Sequence, residues 1–523
     1  MADQRVRIAV VTGGRLRGWE SDIVRRVRAL READVVAWMH LDQLATEDPS
    51  GAFGRLQRKV SASPQLAFEA HGPADLGPLR VNDLRGAQVD LALLLGAASG
   101  LQEGPWDPAL RRWAFRHGDD LPAHRALPGL RESVRQVPLT RFGLVDAGTG
   151  RTLRTACLRT AGEPGTLAAV IAGLAAQWPA AAIAEWAANG QAPQGMDDEP
   201  TAAMPLPGLL ETLAFGWRRM TGRGGAPLAT DHGAWNIGVL HQPVHVLLED
   251  DGSRNVRWLP APSKGKARME PFGYHTPDGD LNVLFRKCSV DGDEAVIARV
   301  RPKPDNILKR SRTMLEGDGH AAYPYTLTVD GAPAVILGDG PAACVRIHRI
   351  NDANDGLLDG RPILSEALHA PTLFEHDGRW WLLGTKDPLP DALLYGYYSD
   401  SPWGPFVPIG HGPLKCDVRS ARPAGSPFLH DGALYRPALD ASAPGAPAVS
   451  INRVDRLSPA GFREEAVRRV QGFAATAYGE GVRTITAMGQ LTLVDGLLSP
   501  VMEARRANGS RSSTRSRSKR DRG

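Results

Sequence analysis

Cysteine is scarce in this chain of 523 residues. Cys157, Cys288, Cys344 and Cys416 are scattered, with no CxxC pair, which excludes a disulfide framework and the common zinc motifs. His232, His320 and His369 also lack metal-ligand spacing, so no metal site is expected, and no cofactor is implied. Phosphate-cradling glycine motifs are missing too: Gly13, Gly14 and Gly18 do not make GxGxxG, and GxxxxGK[ST] occurs nowhere. No apolar run approaches the roughly 18 residues of a membrane helix, and the opening MADQRVRIAVVTGG is too short in apolar residues for a secretory signal. The expectation is therefore a protein without a membrane span, located in the cytoplasm.

The formal charge of +4 conceals an asymmetry. Residues 505–523 hold eight Lys or Arg against one Asp, a net +7, which leaves −3 on the rest of the chain. With almost nothing apolar to bury, this tail is expected to be disordered and to contact polyanions only unselectively.

What the sequence does contain is a repeat. Asp-Gly recurs at 278, 330, 377, 431 and 495, each pair set in apolar stretches, as in HAPTLFEHDGRWWLLGT over residues 369–385. Asp and Gly tolerate the positive φ of a tight two-residue turn, so each copy reads as a β-hairpin. Pro271, Pro324, Pro371 and Pro427 stand early in the first strand of four copies, where a missing N–H falls at a strand start or an edge. The spacing of about 50 residues suits propeller blades, and five copies predict five blades. Ring closure is expected to pair the strand near WNIGVL with material around residues 490–498, which removes the open edges.

The N-terminal region reads differently. RIAVVTGG is a buried strand running into a glycine turn, and residues 22–33 place Ile23, Val27 and Leu30 on one helical face. VVAWMHL and VDLALLLG supply further strands, giving an α/β, doubly wound (Rossmann-like) pattern in which ligands meet the carboxyl ends of strands. Gly, Pro and Ala dominate both flanks of the helix-forming LLETLAFGWRRM. Its stripe of Leu210, Leu213 and Trp217 is expected to pack against a domain.

The strand ending in LLLG, GPWDPALRRWAFRHGDD and VPLTRFGLVDAGTGRTLRTA together resemble the element order of the formyltransferase-like fold. That family carries an Asn, a His inside HxSLLP and a later Asp. Here His117 matches the His, Phe115 stands at the Asn, RHGDDLP replaces HxSLLP, and Asp146 is the candidate acid. The resemblance implies formyl transfer to an amino sugar as the lesser alternative for this domain; a structural or substrate-orienting role is the other.

From Ala234 onward AWNIGVLHQPVHVLL, EPFG, AYPYTLTVDG, APTLFEHDGRWWLLGT and ARPAGSPFLHDGALYRPALD resemble the propeller region of the glucosamine inositolphosphorylceramide transferase family, itself similar to five-bladed glycosidases. In such glycosidases a base, an acid and a third carboxylate converge on the axis. The relatives' ADPFG is MEPFG here, which puts Glu270 at the Asp. Their Pro-Glu becomes Gly338 and Asp339, their Asp-Pro-Thr becomes Ala370, Pro371 and Thr372, and their FEE becomes Phe285, Arg286 and Lys287. Losing a carboxylate and gaining two cations favours ionised acids nearby, the wrong direction for a proton donor. Glu270 and Asp339 are the candidate catalytic pair, and Arg422, Arg436, Asp440, Trp235 and Trp380 the candidate substrate-binding residues, their forks and rings suited to sugar hydroxyls and pyranose faces.

The expected organisation is an α/β formyltransferase-like domain over residues 1–200, a linker with one helix over 201–228, a five-bladed β-propeller over 229–502 and a basic tail over 503–523. The implied ligand is a glycan or sugar-containing small molecule bound at the propeller axis. Two readings stay open: a protein that assists glycosyl transfer or processing as a transferase or glycosidase-like enzyme, and a catalytically silent glycan-binding or scaffold protein, a pseudoenzyme.

Overall fold

A computed structural model of the chain describes residues 5–44, 49–68, 80–118, 126–160, 162–196, 204–221, 233–249, 254–276, 278–290, 295–302, 311–316, 322–339, 343–351, 356–358, 360–410, 412–443, 445–474 and 476–499. The basic tail lies outside these residues. The chain divides into two compact units, Met1–Leu228 and Ala229–Gly523.

In the first unit Val6–Gly13 pairs in parallel with Ala33–Leu41 on one side and Leu91–Gly96 on the other. Leu91–Gly96 also pairs in parallel with Arg111–His117. Every residue of Leu91–Gly96 is buried, as the unbroken apolar run LALLLG requires of a strand covered on both faces. The sheet then turns antiparallel through Leu139–Asp146 and Thr152–Arg159, which a purely doubly wound pattern does not do. The crevice at the carboxyl ends of the parallel strands is stitched by the buried Glu20, whose carboxylate accepts the Arg17 N–H and the Gly96 N–H, each at 2.8 Å.

Two readings of this unit are corrected. The segment Pro164–Asn189 is, among the described residues, long and apolar enough to cross a membrane by length and composition, although the sequence suggested no such run. It forms two helices, Pro164–Ala175 and Trp178–Asn189, with Leu167, Ile171, Trp178 and Ile183 buried in the unit. The helix Leu209–Met220 is present, but its stripe faces the other way. Thr212 and Phe215 are buried, whereas Leu210, Leu213 and Trp217 are 81%, 58% and 63% exposed.

The second unit is a propeller-like assembly of antiparallel sheets. Four stand as separate blades: Lys266–His275, Leu281–Ser289, Ala295–Val300 and Arg312–Glu316; a set beginning Tyr325–Val329 and Ala332–Asp339; a set beginning Phe428–His430 and Ala433–Asp440; and Ile485–Met488, Leu491–Leu497, Trp235–Leu240 and Val256–Trp258. The five blades expected become four. The strands His369–His376, Arg379–Thr385 and Leu393–Ser399 pair antiparallel in sequence order but do not close as a sheet of their own. Leu491–Leu497 pairs with Trp235–Leu240, from Thr492 opposite Leu240 to Leu497 opposite Trp235. A C-terminal strand thus meets the first strand of the unit.

Three of the Asp-Gly pairs turn as expected: φ is 51° and 75° at Asp330 and Gly331, 51° and 71° at Asp377 and Gly378, and 48° and 75° at Asp431 and Gly432. These are the two positive values of a type I′ turn. The last pair differs. Asp495 and Gly496 lie inside Leu491–Leu497, opposite Ile237 and Asn236, and the turn falls at Gly489, between Met488 and Leu491.

Candidate functional site

The centre of the second unit is built from the residues before the prolines. Glu270, Tyr323 and Ala370 hold φ of 56°, 52° and 50°, although a residue preceding Pro ordinarily stays extended. Each such conformation costs about 1–3 kcal/mol and persists only where the surroundings over-determine it. A register shift opposite Glu270 lies between Leu284 and Arg286, and another spans His369 to Thr372. Bulges of this kind turn the side chains at Glu270 and Ala370 out of the ordinary pleat. Two residues before Pro427 stands Gly425, with φ of 142°, where a Cβ would fall 1.7 Å from the Ile485 carbonyl oxygen. Only glycine fits.

These positions are joined by a buried hydrogen-bond hub. Asp495 Oδ1 accepts the Arg483 and Thr484 N–H groups at 2.8 and 2.9 Å, and Oδ2 accepts the Glu270 N–H at 3.0 Å. Glu270 Oε2 in turn accepts the Tyr323 N–H at 2.7 Å. The Tyr323 hydroxyl takes the Gly425 N–H at 2.8 Å and lies 3.2 Å from Thr372 Oγ1. Phe272 packs edge-on against the Tyr323 ring with centroids 4.7 Å apart. Asp495, Thr372, Tyr323, Glu270 and Ala370 are all buried. Burial pushes the Asp495 carboxyl from an ordinary 3.8 up to about 6, against the lowering effect of its three N–H donors and Arg483. Burial likewise raises the Tyr323 hydroxyl far above the usual phenol range. The hub thus joins the strands of Glu270, Tyr323, Thr372, Gly425 and Asp495.

The sequence-derived site residues are dispersed by this arrangement. Glu270 is at the centre, but one carboxylate oxygen is committed to a backbone amide. Asp339 ends the strand Ala332–Asp339 opposite Cys344, and its side chain lies outside the described residues. Arg436, expected to offer its fork to a glycan, is 1% exposed. Its Nε and Nη2 donate to Glu464 at 2.8 and 2.6 Å, and Nη1 and Nη2 donate to the carbonyls of Ala421 and Ser420. Glu464 also meets Lys415 Nζ at 2.7 Å. Although burial raises the Glu464 carboxyl, Arg436 and Lys415 hold it below the ordinary range. Arg422 is half-buried and pairs with Asp391 at 3.0 Å. Asp440 is capped by Ser442 and bound to Arg469 Nε at 2.5 Å. Trp235 and Trp381 are buried, whereas Trp380 is half-buried against the core that holds Tyr325 and Tyr397. The adjacent tryptophans therefore do part, as a pleated strand requires, but neither is shown at an open well. In the first unit His117 Nε2 is 2.8 Å from Glu132 Oε1, the two side chains 2% and 4% exposed.

Sequence reasoning did not single out Tyr323, the hub role of Asp495, or Glu464. Tyr323 carried a readable signal, since it occupies the same X-Pro place as Glu270 and Ala370. Sequence reasoning also missed a cleft of about 800 Å³, lined by Arg254, Arg468, Arg469, Glu249, Glu480 and Phe473 among others. Asp440 reaches this cleft through Arg469.

Fold and centre define the class: a propeller-like β unit with a hydrogen-bonded hub, carried with a unit that mixes helices and a β-sheet. A family model described as the N-terminal region of glucosamine inositolphosphorylceramide transferase 1 matches residues 286–479. The chain is 27% identical over 152 residues to glucosamine inositolphosphorylceramide transferase 1 of Arabidopsis thaliana, and 25% identical over 151 residues to that of Oryza sativa subsp. japonica. Each match covers 28% of this chain and 20% of the plant protein, so the chain spans about a fifth of the length of these curated relatives. Similar solved structures include a xylan β-1,4-xylosidase from Bacillus halodurans C-125, at 15% identity over 40% of this chain and 48% of that one with a TM-score of 0.31. The RS223 β-xylosidase is 13% identical over 41% and 80% of the two chains, with a TM-score of 0.32. At such scores the likeness carries no argument about activity.

Proposed function

We propose that the chain is a glycan-related protein whose second unit binds a sugar or glycoconjugate without hydrolysing it. The family match over residues 286–479 supports the glycan class. The observation that carries the non-hydrolytic reading is the hub: Glu270 spends an oxygen on the Tyr323 amide, and Ala370 stands where the family-like pattern has a carboxylate. Hydrolysis needs two carboxyl groups on opposite sides of a scissile bond, with room for the sugar between them. Ala370 supplies no carboxyl group, and Asp495 spends both oxygens on backbone amides.

The cleft bounded by Arg254, Arg468 and Arg469 is the better place for the ligand. Its volume falls in the range of small-molecule sites, and its guanidinium and carboxylate groups match hydroxyls or a phosphate. The relatives' name points to amino-sugar and inositol-phosphate head groups as the first ligands to try. The test is a glycan array carrying such head groups alongside xylo- and arabino-oligosaccharides, repeated with Arg468→Ala and Arg469→Ala. Losing a charge-assisted contact should weaken binding roughly ten- to a hundredfold. Turnover of any glycoside that vanishes in Glu270→Gln would overturn the proposal.

A further inference from the structure

We infer that the paired strands Lys266–His275 and Leu281–Ser289 carry a phosphate-binding site made by Arg268 and Lys287. The two residues stand directly opposite one another in the antiparallel ladder, which puts both side chains on one face of the sheet. Like charges so placed repel and destabilise the pairing. Both are half-buried. Arg268 Nη1 donates to the Pro260 carbonyl at 2.9 Å and reaches Asn236 Oδ1 at 3.5 Å, both uncharged oxygens. Lys287 has no hydrogen-bond or ion-pair partner among the described residues. Burial lowers the Arg268 guanidinium below its ordinary range, and the group that works against this is the Tyr478 phenol rather than a carboxylate. Other partly or fully buried guanidiniums of this unit are paired with acids: Arg422 with Asp391, Arg436 with Glu464 and Arg419 with Asp417. Arg268 has no such partner among the described residues.

Charge and shape choose the ligand. A phosphate monoester carries about −1.5 to −2 at neutral pH, enough to neutralise both cations, whereas a single carboxylate would leave one over. A guanidinium offers its fork to two phosphate oxygens, and a lysine adds a point charge. Arg268 has already lost part of its hydration, so an anion there meets a cation that solvent and salt screen less than one on an open surface. At about 3.3 Å per residue, the Arg268 backbone lies roughly 7 Å along its strand from Glu270. The site therefore adjoins the hub, and neither of its residues lines the cleft of Arg254, Arg468 and Arg469. The inference does not depend on the glycan reading.

The test is isothermal titration of the full chain at neutral pH and fixed ionic strength with inorganic phosphate, glucose 6-phosphate and, as a monoanion, acetate. It is run in an Arg468→Ala background, which weakens the cleft so that the two sites are not confused. Phosphate should still bind there, and acetate should bind roughly tenfold more weakly or worse. Tighter binding of glucose 6-phosphate than of inorganic phosphate assigns the group to a phosphorylated sugar, and equal binding assigns it to the free anion. Adding Lys287→Gln or Arg268→Gln should weaken phosphate roughly ten- to a hundredfold. Lys287→Glu sets a carboxylate opposite Arg268, so it should melt above wild type in phosphate-free buffer and no longer respond to phosphate. Phosphate affinity that Lys287→Gln leaves unchanged, acetate bound as tightly as phosphate, or a folded Lys287→Glu that melts below wild type overturns the proposal.

Discussion

Asp495→Asn puts the hub to its most direct test. The carboxylate accepts three backbone N–H groups, from Glu270, Arg483 and Thr484, and joins the strand Lys266–His275 to the C-terminal strands. An amide at that position keeps one acceptor oxygen and turns a donor toward at least one of the three. A buried N–H left without a partner costs about 1–3 kcal/mol, and lost bonds to a charged acceptor add to that. Offsetting this, the variant no longer buries a charge. The net loss should be about 2–4 kcal/mol at neutral pH, about 5–15 °C in the melting temperature of a unit this large. The pH dependence is the sharper reading. With its carboxyl raised from 3.8 to about 6, the folded protein holds this proton more tightly than the unfolded chain. The contribution of Asp495 to stability is therefore fullest below pH 3.8, falls as pH rises through the window to about 6, and is flat above it, a change of about 3 kcal/mol. The stability difference between wild type and Asp495→Asn should shrink by about that amount between pH 4 and pH 7 in chemical denaturation. A difference that is constant with pH, or below about 0.5 kcal/mol throughout, would refute the reasoning.

Arg436→Ala should destabilise the second unit by about 3–5 kcal/mol by leaving the buried Glu464 with Lys415 alone, read by urea denaturation; a fully stable variant would return Arg436 to the list of ligand contacts. Tyr323→Phe should cost about 1–2 kcal/mol, because the Gly425 amide loses its acceptor, and an unchanged melting temperature would remove the hydroxyl from the hub. Gly425→Ala should prevent soluble folding, since its Cβ would overlap the Ile485 carbonyl, and a well-folded variant would show that the strands can separate there. His117→Ala should destabilise the first unit, and by more at pH 6 than at pH 3. Burial raises the Glu132 carboxyl, but His117 and Arg131 hold it below the ordinary range, so its contribution is present at high pH and lost as pH falls; a variant as stable as wild type at pH 6 would sever this pair.

The sequence showed the repeat because a type I′ turn writes itself locally: Asp330, Asp377 and Asp431 need only their own glycines. It misread Asp495 because the same two letters, set in a strand, have their meaning fixed by Arg483, Thr484 and Glu270 from other strands. Arg436 was misjudged for a related reason. A guanidinium in a family-like segment looks available until Glu464, distant in sequence, is found to take it. The stripe on Leu209–Met220 was legible as a stripe, but its direction was not. Periodicity says that Leu210, Leu213 and Trp217 share a face; only the helix's polar contacts with Arg135, Val134 and Glu163 say that this face points outward.

The centre of the second unit also shows why an unusual carboxyl is weak evidence of catalysis by itself. A group poised near pH 6 in a buried site is a recognised mark of an acid–base catalyst, and Asp495 has that property. A general acid must also bring its proton within hydrogen-bond reach of a reacting atom. Both oxygens of Asp495 instead receive backbone amides, and the side chain is fully buried. Glu270 has one of its two oxygens on the Tyr323 amide, and Ala370 has no group to move. The strained backbone at Glu270, Tyr323 and Ala370 is the geometry by which such a centre would aim three side chains at a sugar. Here the Glu270 carboxylate takes the Tyr323 amide, and the Tyr323 hydroxyl meets the Gly425 amide and Thr372, so the hydrogen bonds of the hub offset the backbone strain.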